Sequence, residues 1–246
     1  AGPGGRWVLT FSDEFDSGIL DADKWQALTK IRGGADGAKD TGNHGVEWGW
    51  DAANVGMEKK AGHLVITTTR GEKNRFNSGC ISSRRLFAQR YGFFEARIKA
   101  PPKGNGHQAA FWLIPDRGEM GVGEPGAEVD VIETHLAADR GTSTLHWNGY
   151  KKGEHRSVGK TWDAPRLHDG FHTYGLEWTP QFIRVYYDGR PVWKHEGKGV
   201  PQTEECILCS VGILDWCDGN IRTADLPQRT LFDWVRVYAR PRKEQE

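Results

Sequence analysis

Six residues near the middle of the chain, Glu128-Val129-Asp130-Val131-Ile132-Glu133, constrain its fold more than any other segment. The three acids are separated only by β-branched apolar residues, which suit a pleated strand and lose side-chain freedom in a helix. In a regular strand, Glu128 and Asp130 share one face while Glu133 points to the other. One extra residue bulging near Val131-Ile132 would return Glu133 to the acidic face, and such bulges occur beside active sites. The spacing therefore predicts a bulged strand that presents three carboxylates to one cleft.

Three neighbouring carboxylates repel one another, so the chain needs a chemical reason to keep them. Retaining glycosidases use two carboxyl groups about 5–5.5 Å apart, one as nucleophile and one as acid/base. After the bulge, Glu128 and Glu133 are roughly 13 Å apart along the strand, and side chains that lean together close most of that gap. The shorter Asp130 lies between them and is suited to orienting a neighbour or sharing its proton. A solvated acidic strand face and a calcium site are the alternatives that this spacing leaves open.

The hexapeptide resembles the bulged signature of glycoside hydrolase family 16, and other segments resemble that family's strands in the same order. Those segments are 11–15, 78–83, 91–99, 110–113, 174–180 and 232–238. The resemblance implies net retention of anomeric configuration through a covalent intermediate. It implies Glu128 as the nucleophile, Glu133 as the general acid/base and Asp130 as the helper between them. It also implies an all-β fold, a concanavalin-like jelly-roll β-sandwich with an open cleft on its concave sheet.

Composition and charge agree with a single catalytic domain over residues 1–246. Gly occurs 32 times and Pro 11 times, which supplies turns for many short strands, and all-β folds of this length are often undivided. The formal net charge is zero at pH 7, so we expect no nucleic-acid and no membrane partner. No apolar stretch approaches the roughly 20 residues of a membrane span. We expect a monomer that binds a polysaccharide and is secreted or extracytoplasmic, its signal peptide not being present in this sequence.

Alternation and turn residues predict eleven strands, while helical periodicity is nearly absent. The predicted ranges are 7–12, 63–69, 78–86, 91–99, 109–114, 127–134, 142–147, 171–178, 181–188, 206–213 and 231–239. Asp188-Gly189 marks a hairpin turn between two apolar runs. Residues 29–49, rich in Gly, Asp and Lys, are predicted to form a long loop at one end of the cleft. Of the four cysteines only Cys206 and Cys209 form a Cys-x-x-Cys pair, so we expect buried thiols or one disulfide rather than zinc.

Aromatic and polar residues near the acids are candidates for sugar binding, because a Trp ring can cover the apolar face of a sugar. By the resemblance, the face of Trp112 forms the cleft and His146 lies beside the reacting sugar. The predicted substrate-binding residues are Trp48, Trp50, Asn105, Gln108, Trp112, His146 and Trp147. Core packing is the alternative for each Trp, and a structural hydrogen bond is the alternative for His146.

One departure from the resemblance concerns the substrate. Laminarin-degrading members usually have Trp-Pro-Ala-x-Trp before the catalytic strand, whereas residues 108–112 here are Gln-Ala-Ala-Phe-Trp, so an amide replaces an aromatic platform. We predict a retaining endo-β-glycanase acting on a β-1,3- or mixed-linkage glucan. The alternative is an endohydrolase of red-algal galactan (agar, porphyran or carrageenan), and the rival of another class is a carbohydrate-binding lectin. A sulfated galactan would require cations in the cleft, for which Arg84, Arg85, Arg90 and Lys103 are candidates.

The predicted chemistry needs no cofactor, because two carboxyl groups and water are sufficient. The resemblance does imply a structural calcium ion on the convex side. Asp233 would be its side-chain ligand, together with backbone carbonyls near the amino terminus.

Overall fold

The computed structural model describes residues 2, 4–29, 47–72, 75–118, 120–136, 138–213 and 217–241. The strands are β1 Val8–Asp13, β2 Gln26–Ala27, β3 Glu47–Trp50, β4 Val55–Glu58, β5 His63–Arg70, β6 Arg75–Ser78, β7 Cys80–Ser82, β8 Gly92–Lys99, β9 Gln108–Pro115, β10 Glu128–Glu133, β11 Arg140–Trp147, β12 Arg156–Asp163, β13 His172–Trp178, β14 Phe182–Tyr187, β15 Arg190–Glu196, β16 Glu205–Gly212 and β17 Gln228–Ala239. The helices in these ranges are two short 3-10 turns, Ala52–Asn54 and Ile221–Thr223. None is long and apolar enough to cross a bilayer.

The strands form two large sheets that pack as a jelly-roll β-sandwich. One sheet has ten strands, ordered β15-β14-β13-β8-β17-β5-β6-β3, with β1 paired to β17 and β4 to β5. The other has seven strands, ordered β12-β11-β10-β9-β16-β7-β2. β10 therefore lies near the middle of the seven-stranded sheet, between β9 and β11, where neighbours on both sides fix its position.

Alternation along the strands places the core between the two sheets. On β9, Phe111 and Leu113 belong to the main buried cluster, together with Val129 of β10. Trp112 and Leu208 belong instead to a second cluster on the outer face of the seven-stranded sheet. This outer face also carries the acids of β10, because their apolar neighbours point inward.

All eleven predicted strands are present, most with ends that differ by one to three residues. The prediction 78–86 is wrong in extent, because β7 ends at Ser82 and residues 83–86 form a turn in which Ser83 O accepts from Leu86 N at 3.0 Å. Six further strands exist that the sequence did not indicate: β2, β3, β4, β6, β12 and β15. They are short, or they lie at sheet edges with mostly polar residues, as β12 does.

The predicted loop over residues 29–49 is wrong at its carboxyl end. Residues 47–50 form β3, which runs parallel to β6 and pairs with it. Trp48 and Trp50 are therefore strand residues, exposed by only 3% and 7%. Residues 30–46 of the predicted loop lie outside the described residues.

The four cysteines are all described and buried, and they form no disulfide with one another. Burial raises the pKa of Cys206 to about 12, with smaller effects from nearby charges. The prediction of buried thiols is confirmed and the disulfide alternative is wrong.

Candidate active site

Strand pairing shows the predicted bulge in β10. Asp130 is opposite Thr144 of β11, and Glu133 is opposite Thr142, so three steps along β10 match two along β11. The pairing with β9 places the extra residue between Asp130 and Ile132. The bulge therefore lies where the sequence predicts it.

The bulge forms because two consecutive apolar side chains enter the core. Val131 and Ile132 are both fully buried in the main cluster. Space for Ile132 comes from Gly141 on the next strand, where a Cβ atom would lie 2.7 Å from Ile132 Cδ1 and 2.5 Å from the ring of Trp162. With the extra residue accommodated inside, Glu133 joins Glu128 on the outer face of the sheet.

Glu128, Asp130 and His146 form a compact group at one end of the acidic strand. Glu128 and Asp130 are 2% and 4% exposed, and one ligand atom from each of the three residues lies within 4.8 Å of the others. His146 Nε2 is 3.3 Å from Asp130 Oδ2. In the described part of the chain, this is the one group of three side chains close enough to hold a metal ion. One donor is an imidazole nitrogen, so the group does not favour calcium, which takes oxygen ligands.

A second histidine holds His146 in place. His155 Nε2 lies 2.9 Å from His146 Nδ1, and the two rings stack with centroids 5.1 Å apart. The Tyr150 ring packs against both, with its centroid 5.1 Å from that of His155 and 5.9 Å from that of His146. A neutral His146 that donates its Nε2–H to Asp130 must accept at Nδ1, so His155 is then the donor between the two rings. His155 thereby selects the tautomer of His146 that faces the acids.

Neutral donors contact both carboxylate oxygens of Glu133. Gln108 Nε2 donates to Oε1 at 2.8 Å, and Thr144 Oγ1 approaches Oε2 at 3.5 Å. The same Gln108 nitrogen is 3.5 Å from His135 Nδ1. Burial lowers the pKa of His135, and the negative charge of Asp218 opposes that shift. The Glu133 carboxyl is thus oriented from β9 and β11 on either side of its own strand.

A cavity of about 570 Å³ adjoins Glu128 on the outer face of the seven-stranded sheet. Trp50, Trp112 and Leu208 form part of its lining through the small fraction of each side chain that remains exposed. The indole N–H of Trp112 donates to Ser210 Oγ at 3.0 Å, and that of Trp50 donates to the carbonyl of Val211 at 3.2 Å. Because both N–H groups are satisfied by protein, the rings provide apolar surface next to an acid, which is a suitable surface for a sugar.

The structure brings several predicted site residues together and separates others. Gln108 and His146 contact the acids, and Trp50 and Trp112 line the adjoining cavity. Trp147 is not brought to this face, because it follows His146 on β11 and therefore points to the opposite side of the sheet. There it packs against the main core cluster, with its ring stacked on His195 at 6.4 Å.

Trp48 and Asn105 lie in β3 and in the segment before β9, respectively. Trp48 packs edge-on to Trp50, with ring centroids 6.4 Å apart, in the outer cluster. It is a packing residue that supports Trp50, since only 3% of it is exposed. Asn105 lies in the segment before β9, where its backbone forms a bridge with Gly219.

The residues around Asp233 do not fit the implied calcium ion. Asp233 is on β17 of the ten-stranded sheet, with Oδ1 3.3 Å from His63 Nε2 and Oδ2 in an ion pair with Arg97. Calcium takes six to eight oxygen ligands, whereas both oxygens of this carboxylate face nitrogen donors. The guanidinium of Arg97 already supplies the positive charge that a metal ion would bring.

Sequence reasoning missed Tyr150 and His155, which lie in the connection between β11 and β12. The connection starts with Asn148-Gly149, a dipeptide typical of tight turns. Asn148 and Gly149 adopt left-handed backbone angles, with φ of 63° and 68°. His146 is opposite Ser157 across this connection, so a chain reversal there brings residue 155 close to residue 146. The Asn-Gly dipeptide is therefore the sequence feature that could have predicted the contact between His155 and His146.

Comparison with known proteins agrees with this geometry. The family model described as "Glycosyl hydrolases family 16" matches residues 42–211. This chain belongs to glycoside hydrolase family 16. It is 30% identical over 260 residues to a beta-glucanase of Rhodothermus marinus, covering 95% of this chain and 85% of that protein.

Two further similar proteins extend the comparison. The endo-1,3-1,4-beta-glycanase EglC of Rhizobium meliloti (strain 1021) is 34% identical over 211 residues, covering 74% of this chain but only 42% of that longer protein. The catalytic domain of an endo-1,3-beta-glucanase (laminarinase) from Thermotoga petrophila RKU-1 superposes with a TM-score of 0.78 at 26% identity, covering 95% of this chain and 98% of that one. The chain is therefore a glycoside hydrolase with the jelly-roll fold of its family.

Proposed function

We propose that this family 16 chain is a retaining endo-β-glucanase that hydrolyses internal bonds of a β-1,3- or mixed-linkage glucan. The observation that carries the proposal is the bulge at Val131-Ile132, which puts Glu128, Asp130 and Glu133 on one face beside an aromatic-lined cavity. A strand with a merely solvated acidic face would not need the extra residue. The burial of Glu128 and Asp130 also argues against that simpler role.

The proposed reaction uses the two glutamates in turn. Glu128 attacks the anomeric carbon while Glu133 gives its proton to the leaving glycosidic oxygen, which breaks the glycosidic bond and forms a glycosyl ester on Glu128. Glu133, now ionised, takes a proton from water as that water attacks the same carbon. The ester bond breaks, the sugar leaves with its original configuration, and Glu128 is again a carboxylate. Asp130, held by His146, orients Glu128 between the two steps.

The names of the relatives support a glucan substrate. The R. marinus, R. meliloti and T. petrophila proteins are a beta-glucanase, an endo-1,3-1,4-beta-glycanase and a laminarinase. This favours glucan over red-algal galactan, the alternative from sequence. A lectin would have no use for two oriented glutamates. In the same proposal the 246 residues act as one monomeric catalytic domain outside the cytoplasm, where a polymer substrate is accessible.

The decisive experiment is a substrate panel combined with variants of the acids. The parent protein should release oligosaccharides of mixed size from laminarin or mixed-linkage glucan, and little from agarose, porphyran, carrageenan or galactan. Glu128→Ala and Glu133→Gln should each lower the rate by at least about a hundredfold. Asp130→Asn should lower it less and leave the fold intact. Product size is measured by chromatography and folding by circular dichroism.

Glu124→Gln is the matched control, because Glu124 is an exposed acid just before β10. It should retain the parental rate. A Glu128→Ala protein that still degrades polymer at the parental rate would show that the reaction runs elsewhere. Binding to all glucans without any turnover would favour the lectin.

A further inference from the structure

In the proposed reaction, Glu133 carries a proton during the first step and lacks it during the second. A protonated carboxyl group donates a hydrogen bond through its O–H, whereas a carboxylate can only accept. A neighbour that supports both steps must therefore offer an acceptor first and a donor afterwards. The Trp that the family resemblance places at position 108 would offer only an N–H donor, whereas this chain has Gln there.

Gln108 has both capacities and is placed to use them. Its amide nitrogen donates to Glu133 Oε1 at 2.8 Å, and only 5% of the residue is exposed, so protein groups complete the hydrogen bonds of the amide. The two ends of an amide have nearly the same shape, so a half-turn exchanges the N–H₂ group for the carbonyl oxygen without moving the rest of the side chain. With its carbonyl turned toward Glu133, the same side chain accepts from a protonated carboxyl group.

His135 is the neighbour that can match either orientation of this amide. Its Nδ1 lies 3.5 Å from the amide nitrogen of Gln108, and its ring is partly exposed just past the end of β10. A neutral imidazole carries its hydrogen on either ring nitrogen, so Nδ1 accepts in one tautomer and donates in the other. Burial lowers the pKa of His135, and the negative charge of Asp218 opposes that shift. The ring is therefore neutral near pH 7, which is the state that has two tautomers.

Backbone hydrogen bonds fix His135 beside the acid. The carbonyl of His135 accepts from the N–H of Asp218 at 2.8 Å, and the carbonyl of Asp218 accepts from the N–H of Gly106 at 3.0 Å. The segments before β9 and around residue 218 are thus tied to the end of β10. Among the described residues, the titratable groups around this imidazole are Glu133, which it reaches through Gln108, and Asp218.

We propose that Gln108 and His135 act together as positioning residues that follow the proton of Glu133 through the catalytic cycle. While Glu133 is protonated, the Gln108 carbonyl accepts from its O–H, and His135 Nδ1–H donates to the same carbonyl. After Glu133 has given its proton to the leaving oxygen, the amide turns, its N–H₂ group donates to the carboxylate, and Nδ1 accepts. The amide turns back when Glu133 takes a proton from the attacking water. The His135 hydrogen changes ring nitrogen by exchange with solvent, so the pair gains and loses no net proton.

This role rests on the proposed function, because it needs Glu133 to act first as acid and then as base. An amide that only donates to the ionised carboxylate is the simpler alternative. It predicts that removal of the amide leaves the acid step intact at low pH and only moves the alkaline limb of the pH profile. A turning amide predicts that both steps suffer.

Kinetics of Gln108→Met distinguish the two cases, because Met has nearly the shape of Gln without its amide. On soluble glucan, kcat/KM should fall by about tenfold even at a pH where Glu133 is protonated, since the acceptor of its O–H is lost. On an aryl glycoside with an acidic phenol as leaving group, the first step needs no proton donor, so kcat/KM should stay within about threefold. Its kcat should fall where the second step is limiting, because the base is no longer held. The alkaline limb on glucan should also move to higher pH, because the ionised form loses a donor.

Two substitutions of His135 test its share of the effect. His135→Phe should lower kcat/KM on glucan by about threefold, whereas His135→Asn, which has both a donor and an acceptor, should recover most of it. His168→Phe is the matched control, because His168 is also partly buried and its Nδ1 lies 2.7 Å from the carbonyl of Pro101, away from the acids. It should keep the parental rates and pH profile.

The NMR signal of the Gln108 side-chain amide, assigned by its loss in Gln108→Met, gives a readout that needs no turnover. It should shift with pH in a step that disappears in Glu133→Gln. If Gln108→Met does not fold, the signal is assigned in Gln108→Asn, and His135→Phe carries the kinetic test. A Gln108 signal with no step that depends on Glu133, or an unchanged kcat/KM on glucan at low pH in Gln108→Met, would overturn the inference. A parent protein that shows the step but hydrolyses no glucan would refute the glucanase and leave the coupling of Gln108 to Glu133 standing.

Discussion

At the scale of single residues, Gln108 affects the environment of Glu133, the proposed proton donor. By the resemblance, a Trp is usual at this position in laminarin-degrading enzymes, whereas the amide of Gln108 donates to Glu133 Oε1 at 2.8 Å. An indole ring would offer a sugar platform at this position. The amide instead orients the acid, so its role in this chain concerns the position of Glu133 more than the wall of the cavity. Alternation correctly predicted the face of Gln108, but its partner could be seen only once β9 and β10 were in register.

The hydrogen bond between His155 and His146 leads to a prediction with two complementary substitutions. His155→Phe keeps a ring for stacking on Tyr150 and His146 but removes the donor, so His146 is no longer held in one tautomer. We expect kcat/KM to fall by about tenfold, the effect of losing one hydrogen bond of roughly 1.5 kcal/mol. His155→Gln restores an N–H near the same place and should recover most of the activity. Kinetics on soluble glucan and thermal unfolding are measured for both variants.

A larger loss of kcat/KM in His155→Phe than in His155→Gln would indicate that His155 positions His146. A purely structural role predicts that activity follows Tm in both variants. Equal loss of activity in the Phe and Gln variants would show that the hydrogen bond does not position His146.

At the scale of elements, prediction succeeded for longer strands with an apolar pattern and failed for very short strands and for polar edge strands. β8, β9, β13 and β16 have strong apolar patterns because they pack on the core, and their ranges were predicted closely. β12 is an edge strand with a mostly exposed polar sequence, so it has no periodic signal. β3 owes its conformation to β6, a neighbour that local sequence does not reveal. The bulge in β10 was predictable because three acids at that spacing can share a face only with one extra residue.

Gly141 on β11 is predicted to be required for the bulge. A Cβ there would lie 2.7 Å from Ile132 Cδ1 and 2.5 Å from the Trp162 ring, both of which are in the packed core. Gly141→Ala should therefore destabilise the fold by about 1–3 kcal/mol and displace Ile132, and with it the adjacent Glu133. Activity should fall even well below the melting temperature. Urea unfolding and turnover are measured side by side.

Gly56→Ala is the control for this substitution. Gly56 also lies in a strand, β4, but a Cβ added there would meet no atom within 4 Å. It should leave activity at the parental level. If Gly141→Ala folds and turns over like Gly56→Ala, the packing around the bulge is not what fixes Glu133.

At the scale of the whole molecule, the sequence predicted the sandwich but not which distant segments meet. Sheet order places β16 between β9 and β7, so residues from three separate parts of the chain form the outer cluster that contains Trp112. The cavity shared by Arg84, Arg85 and Glu128 likewise depends on this long-range order. Local periodicity contains no information on such crossings, which is why the arginines could be proposed from sequence but not placed.

Glu205 links the stability of the whole fold to pH. It begins β16 and is fully buried, with Oε1 accepting from the backbone N–H of Ala127 at 3.4 Å. Its Oε2 has no hydrogen-bond partner among the described residues. Burial raises the pKa of Glu205 well above its ordinary value, and the bond from Ala127 only partly opposes this. The folded protein therefore holds a proton here that the unfolded chain releases above about pH 4.3.

Because the folded protein binds one more proton at Glu205 than the unfolded chain, the free energy of unfolding falls as the pH rises. A raised folded pKa stabilises the fold fully below the unfolded value, and this contribution is lost as pH rises toward the folded pKa. We expect Glu205→Gln, which is neutral at every pH, to unfold at a higher temperature than the parent at pH 8. A gain of about 1–3 kcal/mol is the scale for relieving one buried polar defect. The advantage should shrink toward pH 5. Glu204→Gln, at the exposed neighbouring position, should track the parent at each pH. Parallel melting profiles for Glu205→Gln and the parent from pH 5 to 8 would mean that Glu205 exchanges no proton on unfolding.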